Sequence, residues 1–189
     1  EGELRITEAS SAESRDAEVG YQVDGLGKAL VLVSGPDTTW MTRYLDVGEI
    51  GPGRVEVADG GRVEIVSAPG TPGRTIVGEF GELLVTGPFS HFQGATVTVF
   101  GDLAVEAGAS ITSQTASLTS AGHVSIVDPT STWNLPRFNV TGVLDVGGGG
   151  RVVIGTLLSV EPGGVVNLTP GGTIHTLAVE NLGGTINEN

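Results

Sequence analysis

The stretch from Leu144 to Ile154, LDVGGGGRVVI, contains one apolar pair on each side of four glycines. Leu144 and Val146 stand two positions apart, and the pair after the glycines has the same spacing, which places both members on one face of a β-strand. A related stretch, LDVGEIGPGRVEV, occupies residues 45–57. Two short strands joined by a glycine-rich turn are therefore encoded at least twice, and this unit predicts the fold.

The same spacing recurs from Ala29 onward, and glycine pairs or Gly-Pro, which favour turns, separate the apolar pairs. Further pairs are Val63 and Ile65, Leu83 and Val85, Val97 and Val99, Leu103 and Val105, Val124 and Ile126, Phe138 and Val140, Leu158 and Val160, Val166 and Leu168, and Leu177 and Val179. No stretch keeps a helical apolar period over ten residues, which predicts little or no helix. An antiparallel sandwich is the alternative, but it favours longer strands and hairpins such as Asn-Gly. The pattern therefore predicts an all-β, right-handed parallel β-helix (β-solenoid) of about nine coils, at roughly 20 residues per coil.

Composition limits the domain count and the classes of partner. The chain has 189 residues, of which 31 are glycine and none is cysteine, and its formal net charge is −13. We expect one domain over residues 1–189, with residues 8–18 as a surface loop or insertion in an early coil. The acidic balance argues against nucleic acid or anionic lipid as a partner. No apolar run approaches the roughly 20 residues of a membrane helix, and no leader precedes Glu1, so we expect a soluble, mature or trimmed fragment without membrane insertion.

Three segments share a longer pattern, in which a strand is followed by Gly-Pro or Asp-Pro and then by an aromatic residue four positions after the proline. The aromatic residues are Trp40, Phe92 and Trp133, and the copies lie near residues 29–66, 81–111 and 122–168. The prolines of the three copies, at positions 36, 88 and 129, are unequally spaced, so the chain is an irregular repeat array. The shared position predicts that the three aromatic side chains pack inside the solenoid.

The order GP-x-[ST]-x-W, L-x-V-G, G-x-G-x-V-x-V and GG-x-V resembles the type V secretion and PEP-CTERM-associated repeat of large bacterial surface and exported proteins. The match is GPDTTWMTRYLDVGEIGPGRVEVADGGRVEIV over residues 35–66, and in weaker form DPTSTWNLPRFNVTGVLDVGGGGRVVI from Asp128. The middle copy departs from it, with Phe92 in place of tryptophan. The resemblance implies a β-helical, autotransporter-like passenger module located outside the cell or on its surface. It supplies no catalytic motif.

Candidate sites are few. Gly147–Gly150 precede a strand rather than the Lys-Ser or Lys-Thr and helix of a phosphate loop, so we interpret them as a turn. Phe89 and His91 flank a corner and are the candidate ligand-binding residues, offering a ring to a sugar or a protein. The histidines are too scattered to predict a metal site. We therefore expect no cofactor; calcium is the ion that the many carboxylates would suit, but the Gly-Gly-x-Gly-x-Asp nonapeptide is absent.

Two functions remain open from the sequence. The first is a structural, spacer or adhesive module of a larger exported bacterial surface protein, whose partner is a cell-surface or extracellular polysaccharide or protein. The second is a carbohydrate-binding or polysaccharide-degrading β-helix, a lyase or glycoside hydrolase. A glycosidase needs two carboxylates roughly 5–9 Å apart, and nothing in the sequence singles out such a pair. No catalytic residue is assigned, which favours a protein that is not an enzyme, and the oligomeric state is left open.

Overall fold

The computed structural model describes residues 2–20 and 27–188, and over these residues the chain is a parallel β-solenoid, as predicted. Successive strands alternate between two sheets, and each strand lies parallel to the equivalent strand of the next turn. The described residues contain no helix, and so none that is long and apolar enough to cross a membrane. The i, i+2 pairs are therefore strand faces, as their spacing indicates.

Twenty strands occur in the described part of the chain. In chain order they are β1 (Gly2–Thr7), β2 (Ser11–Glu13), β3 (Asp16–Val19), β4 (Ala29–Ser34), β5 (Thr39–Thr42), β6 (Tyr44–Val47), β7 (Gly53–Ala58), β8 (Arg62–Ile65), β9 (Arg74–Val77), β10 (Gly81–Thr86), β11 (His91–Val99), β12 (Asp102–Glu106), β13 (Ser110–Leu118), β14 (His123–Ile126), β15 (Thr132–Val140), β16 (Val143–Val146), β17 (Arg151–Val160), β18 (Val165–Leu168), β19 (Thr173–Asn181) and β20 (Thr185–Glu188).

Sheet A contains nine strands in the order β1-β4-β7-β10-β12-β14-β16-β18-β20. Sheet B contains the other eleven. Its C-terminal turns each contribute one long strand, from β11 to β19, whereas the three N-terminal turns each contribute two short strands in its place. β11 marks the change, because it pairs with both β8 and β9.

The number of turns differs from the prediction. Seven turns follow one another without interruption from β4 to β19, so the solenoid has about seven turns rather than nine. The reason is unequal turn length. Glu82 lies beside Asp102 in the next turn, whereas Gly53 lies beside the more distant Gly81. The extra residues of this longer turn include those between β8 and β9, where Ala68 and Thr71 form an isolated antiparallel bridge.

Residues 8–18, predicted as a surface loop or insertion, instead contain β2 and most of β3. β2 pairs with β5, and β3 pairs with β6. The outward residues of this segment are polar, and two of its inward residues are the alanines Ala12 and Ala17, which pack against the core. An apolar doublet is therefore missing from a segment that is nevertheless held by its backbone hydrogen bonds.

The three repeat aromatics lie in one interior column of sheet B and are buried, as predicted. Cα neighbours along this column, from the second turn onward, are Trp40, Val63, Phe92, Ile111, Trp133, Val152 and Ile174. Large aromatic and smaller aliphatic side chains alternate from Trp40 to Val152, and the alternation ends at Ile174, where the aliphatic Val152 is followed by a second aliphatic residue. One repeat copy therefore corresponds to two turns, and this is why the spacing between its prolines exceeds a single coil.

The two LDVG stretches are not structurally equivalent. Leu45 lies in β6 of sheet B, whereas Leu144 lies in β16 of sheet A. The sheet B residue equivalent to Leu45 in the third copy is Phe138, which occupies the same column. The two stretches resemble each other because each is a strand, a tight turn and another strand, and that local pattern is the same at different corners of the coil.

Candidate functional site

The proline turns form one corner of the solenoid, between sheet A and sheet B. In the Gly87–Ser90 turn, the backbone N–H of Ser90 donates to the carbonyl oxygen of Gly87 at 3.3 Å, and the turns that begin at Gly35 and Asp128 are closed in the same way. The residue after each proline has a positive φ: 61° at Asp37, 69° at Phe89 and 71° at Thr130. This is the geometry of a type II turn, whose third position favours glycine or asparagine.

The Ser or Thr of the GP-x-[ST] pattern joins these turns to one another. Thr38, Ser90 and Ser131 are fully buried. The Ser90 hydroxyl accepts a hydrogen bond of 3.0 Å from the backbone N–H of Gly60, in the turn of the preceding coil. The Ser131 hydroxyl accepts the equivalent bond from Gly108, also at 3.0 Å. Each hydroxyl therefore satisfies a backbone donor that the neighbouring turn leaves unpaired.

The indole N–H groups of the repeat tryptophans are also satisfied from the preceding turn. Trp133 Nε1 donates to Ser113 Oγ at 3.0 Å, and Trp40 Nε1 donates to Ser14 Oγ at 3.2 Å. Phe92 has no N–H to donate. The chemistry that the repeat copies share at this corner is thus structural: it closes turns and links successive coils.

A groove of about 890 Å³, open to solvent, lies across this corner. It extends over three successive turns, Pro36–Asp37, Asp59–Gly60 and Pro88–Phe89, and over the beginnings of β8 and β11. The side chains that give it chemical character are Asp37, Asp59, Arg62, Phe89 and His91, and we call this the corner groove.

Phe89 and His91, the two candidates from the sequence, both line the corner groove. The Phe89 side chain is 88% exposed, so its ring is offered to solvent rather than packed in the core. His91 is half-buried, and its Nδ1 lies 2.9 Å from Ser110 Oγ. Burial lowers the pKa of His91, the positive charge of Arg62 lowers it further, and Glu64 opposes both effects. Burial and the Arg62 charge therefore both favour the neutral imidazole, while Glu64 and a hydrogen bond with Ser110 favour the charged form.

Asp37, Asp59 and Arg62 complete the groove, and the sequence did not single them out as a site. Arg62 is the Cα neighbour of His91 across the β8–β11 pair, although the two are far apart in the chain. Asp59 Oδ2 accepts a hydrogen bond of 3.1 Å from Ser34 Oγ. Asp37, Asp59 and Arg62 lie together because the turns that carry them stack on one another in successive coils. A register prediction would have found it, because Arg62 and His91 each stand one residue before an interior residue of the aromatic column.

Polar side chains also form a ladder on the outer face of sheet A. His123 Nε2 lies 2.8 Å from Asp145 Oδ2, and Asn167 Nδ2 donates to Asp145 Oδ1 at 2.7 Å. Nearer the N-terminus, Arg54 pairs with Glu56 at 2.9 Å and with Glu82 at 2.6 Å. Among the residues that the structure describes, no three His, Asp or Glu side chains are arranged to hold a metal ion. The absence of a cofactor stays a prediction, and calcium, the candidate ion, has no assigned site.

Comparisons with known proteins add little. No family model and no curated protein sequence matches the chain. A solved structure, the crystal structure of a TibC-catalysed hyper-glycosylated TibA55-350 fragment, is 17% identical to this chain, with a TM-score of 0.31, over 99% of this chain and 92% of that one. A likeness at this level carries no argument about function.

Proposed function

We propose that this chain is a structural and adhesive β-solenoid module, a stiff spacer within a larger exported bacterial surface protein. The observation that carries the proposal is that β1 and β20 form opposite edges of sheet A. The chain therefore enters the stack at one end and leaves it at the other. With parallel strands roughly 4.8 Å apart, nine strands hold these two ends about 38 Å apart.

Rigidity is supported by the interior. Both inward columns of sheet A contain fully buried aliphatic residues over most of their length, including Leu83, Val85, Val124 and Ile126. Backbone hydrogen bonds connect each turn to the next at the corners as well as in the sheets. Bending such a stack would break several hydrogen bonds and open the core at once, so its length is fixed.

The exterior is strongly acidic. A net charge of −13 keeps the rod soluble and repels nucleic acid and anionic lipid. The partner proposed here is an extracellular or cell-surface polysaccharide or protein that the rod presents or contacts. The enzymatic alternative would have to use Asp37 and Asp59, the two carboxylates that line the corner groove.

A surface-display experiment tests the spacer function. The chain is inserted between a membrane anchor and a fluorescent reporter, and energy transfer to a membrane dye gives the reporter's height. We expect a narrow height distribution, greater by about 38 Å than that of the reporter joined directly to the anchor. A Gly/Ser chain of equal residue number serves as the control and is expected to give a broad distribution. Equal breadth for both would contradict the proposal.

A second measurement separates the spacer from the enzyme. The purified chain is incubated with pectin, alginate, chitin, xylan and cellulose, with and without calcium. We expect no new reducing ends and no unsaturated products. Products that disappear when Asp37 or Asp59 is changed to asparagine would replace the spacer with an enzyme.

A further inference from the structure

We infer that the corner groove is a binding site for a neutral saccharide chain, with the Phe89 ring as the platform on which a sugar ring stacks. This inference does not depend on the spacer function, since a groove on the side of the rod is independent of the rod's length. Four observations support it: the conformation and exposure of Phe89, the mixture of polar groups, the charge, and the state of the backbone in the groove.

Phe89 occupies a position where its side chain contributes no core packing to the fold. The turn imposes a positive φ on this position, and a bulky residue with φ of 69° is strained. Burial does not compensate for the strain, because the side chain is 88% exposed. The equivalent positions hold Asp37 and Thr130, so the turn itself does not require an aromatic residue. An exposed ring held in a strained turn points to a ligand that uses the ring.

The polar groups of the groove suit hydroxyl groups. Asp37 and Asp59 are hydrogen-bond acceptors, and Arg62 is a donor, all in the same groove. A sugar hydroxyl both donates and accepts, so the hydroxyls of a saccharide chain can pair with the carboxylates and with the guanidinium that line the groove. The C–H face of a pyranose ring carries slight positive charge and packs on the negative face of an aromatic ring.

Charge disfavours an anionic ligand. An anionic polymer meets the net charge of −13 and the two aspartates of the groove, with a single arginine to offset them. A cationic polymer would be attracted by the same charges and repelled only by Arg62, so a cationic saccharide is the charged ligand that the test must separate from a neutral one. Because His91 is largely neutral near pH 7, it adds a polar aromatic surface rather than a charge. The volume of about 890 Å³ lies within the roughly 300–1,000 Å³ of small-ligand sites.

An extended peptide is the other occupant to consider, and the backbone of the groove argues against it. Peptides bind β-proteins by pairing with free N–H and C=O groups of a strand edge. Here Gly60 N–H donates to Ser90 Oγ, Gly61 N–H to the Ala58 carbonyl and His91 N–H to the Gly61 carbonyl. These donors are already used, so recognition falls to side chains, as it does for a saccharide.

The test is a titration of the ¹⁵N-labelled chain with neutral tetrasaccharides of the cellulose, xylan, mannan and chitin series. Oligogalacturonate, oligochitosan and a pool of extended peptides are titrated in parallel. We expect at least one neutral tetrasaccharide to shift the amide signals of Gly60, Gly61 and Phe89. Binding to none of the neutral sugars, binding only to charged sugars or peptides, or shifts confined to another surface would each overturn the inference.

Variants locate the site. Phe89→Thr introduces the residue that occupies the equivalent turn at Thr130, so the fold is retained while the ring is lost. Its dissociation constant should rise by about tenfold or more, the effect of truncating a central aromatic contact. The matched control is Phe80→Thr, because Phe80 is also exposed, at 58%, but lies in a turn outside the groove. Phe89→Trp should retain binding, and Arg62→Gln should weaken it. An unchanged affinity in Phe89→Thr would refute the role of the ring.

Discussion

Removing Trp133 should destabilise the solenoid more than removing any exposed side chain, because its indole is fully buried and joins two turns. Truncation of a buried tryptophan to alanine costs about 3–5 kcal/mol through lost burial and the cavity left behind. Ser113, 4% exposed, also loses its hydrogen-bond donor, which adds about 1 kcal/mol. The contact with Phe138, at 5.0 Å between ring centroids, is lost as well.

The expected result for Trp133→Ala is a fall in melting temperature of roughly 8–24 °C, since 1 kcal/mol corresponds to about 2–4 °C for a chain of this size. His123→Ala is the control. The His123 side chain is 43% exposed, and its contacts with Asp145 and Asp102 are surface pairs worth up to about 1 kcal/mol. Thermal unfolding is followed by circular dichroism. Equal shifts in the two variants would refute the assignment of Trp133 to the interior column.

Two further variants separate the hydrogen bond from the packing. Trp133→Phe reproduces the side chain found at Phe92 and removes the indole N–H, which should cost about 1–3 kcal/mol because the Ser113 hydroxyl stays buried without a donor. Adding Ser113→Ala to Trp133→Phe should recover part of that loss, because the orphaned hydroxyl is then absent. Hydrogen exchange should place the loss of protection in β13, β15 and β17, since repeat arrays respond to a change mainly in neighbouring turns. Uniform loss along the chain would contradict this.

Three other outcomes follow from the structure. Ser131→Ala should lower the free energy of unfolding, measured in urea, by about 1–2 kcal/mol, because the Gly108 N–H loses its acceptor. The control Ser117→Ala, on the outer face, should change this free energy little. Equal effects of the two variants would argue against the hydroxyl link between turns. In an NMR titration, the pKa of His91 should lie below the ordinary value of 6.5. The unfolded chain then takes up this proton at a higher pH than the folded chain, so the free energy of unfolding should fall as the pH drops below about 6.5. This fall should be smaller in His91→Gln. Far-UV circular dichroism should show strand and almost no helix, and a helical spectrum would contradict the fold.

The parts of the fold that depend on local pattern could be predicted from the sequence. An i, i+2 pair such as Leu83 and Val85 indicates an inward strand face wherever it occurs, and burial of the repeat aromatics followed from their shared position. The sheet to which a strand belongs is not local information, which is why the segments at Leu45 and Leu144 look alike and lie in different sheets. A small inward residue such as Ala12 also hid a strand, because alanine contributes little to an apolar doublet.

The candidate site was predictable only in part. Phe89 and His91 are close in sequence, and both line the groove, whereas Asp37 and Arg62 reach it from other turns. These residues could not be aligned from the sequence, because the turns have unequal lengths. The number of residues between stacked positions changes from one turn to the next, so no fixed period relates them. Long-range stacking decides which polar residues meet, and the short-range pattern does not encode it.

The alternation of large and small side chains in the aromatic column limits how such a chain can grow or shrink. Loss of the single turn that carries Ile111 would set Phe92 directly against Trp133, two large rings in a space shaped for one. Loss of two turns would set Phe92 against Val152 and keep the alternation. Between Trp40 and Val152 the repeating unit is therefore a pair of coils, and we expect insertions or deletions that preserve this part of the interior to comprise even numbers of turns.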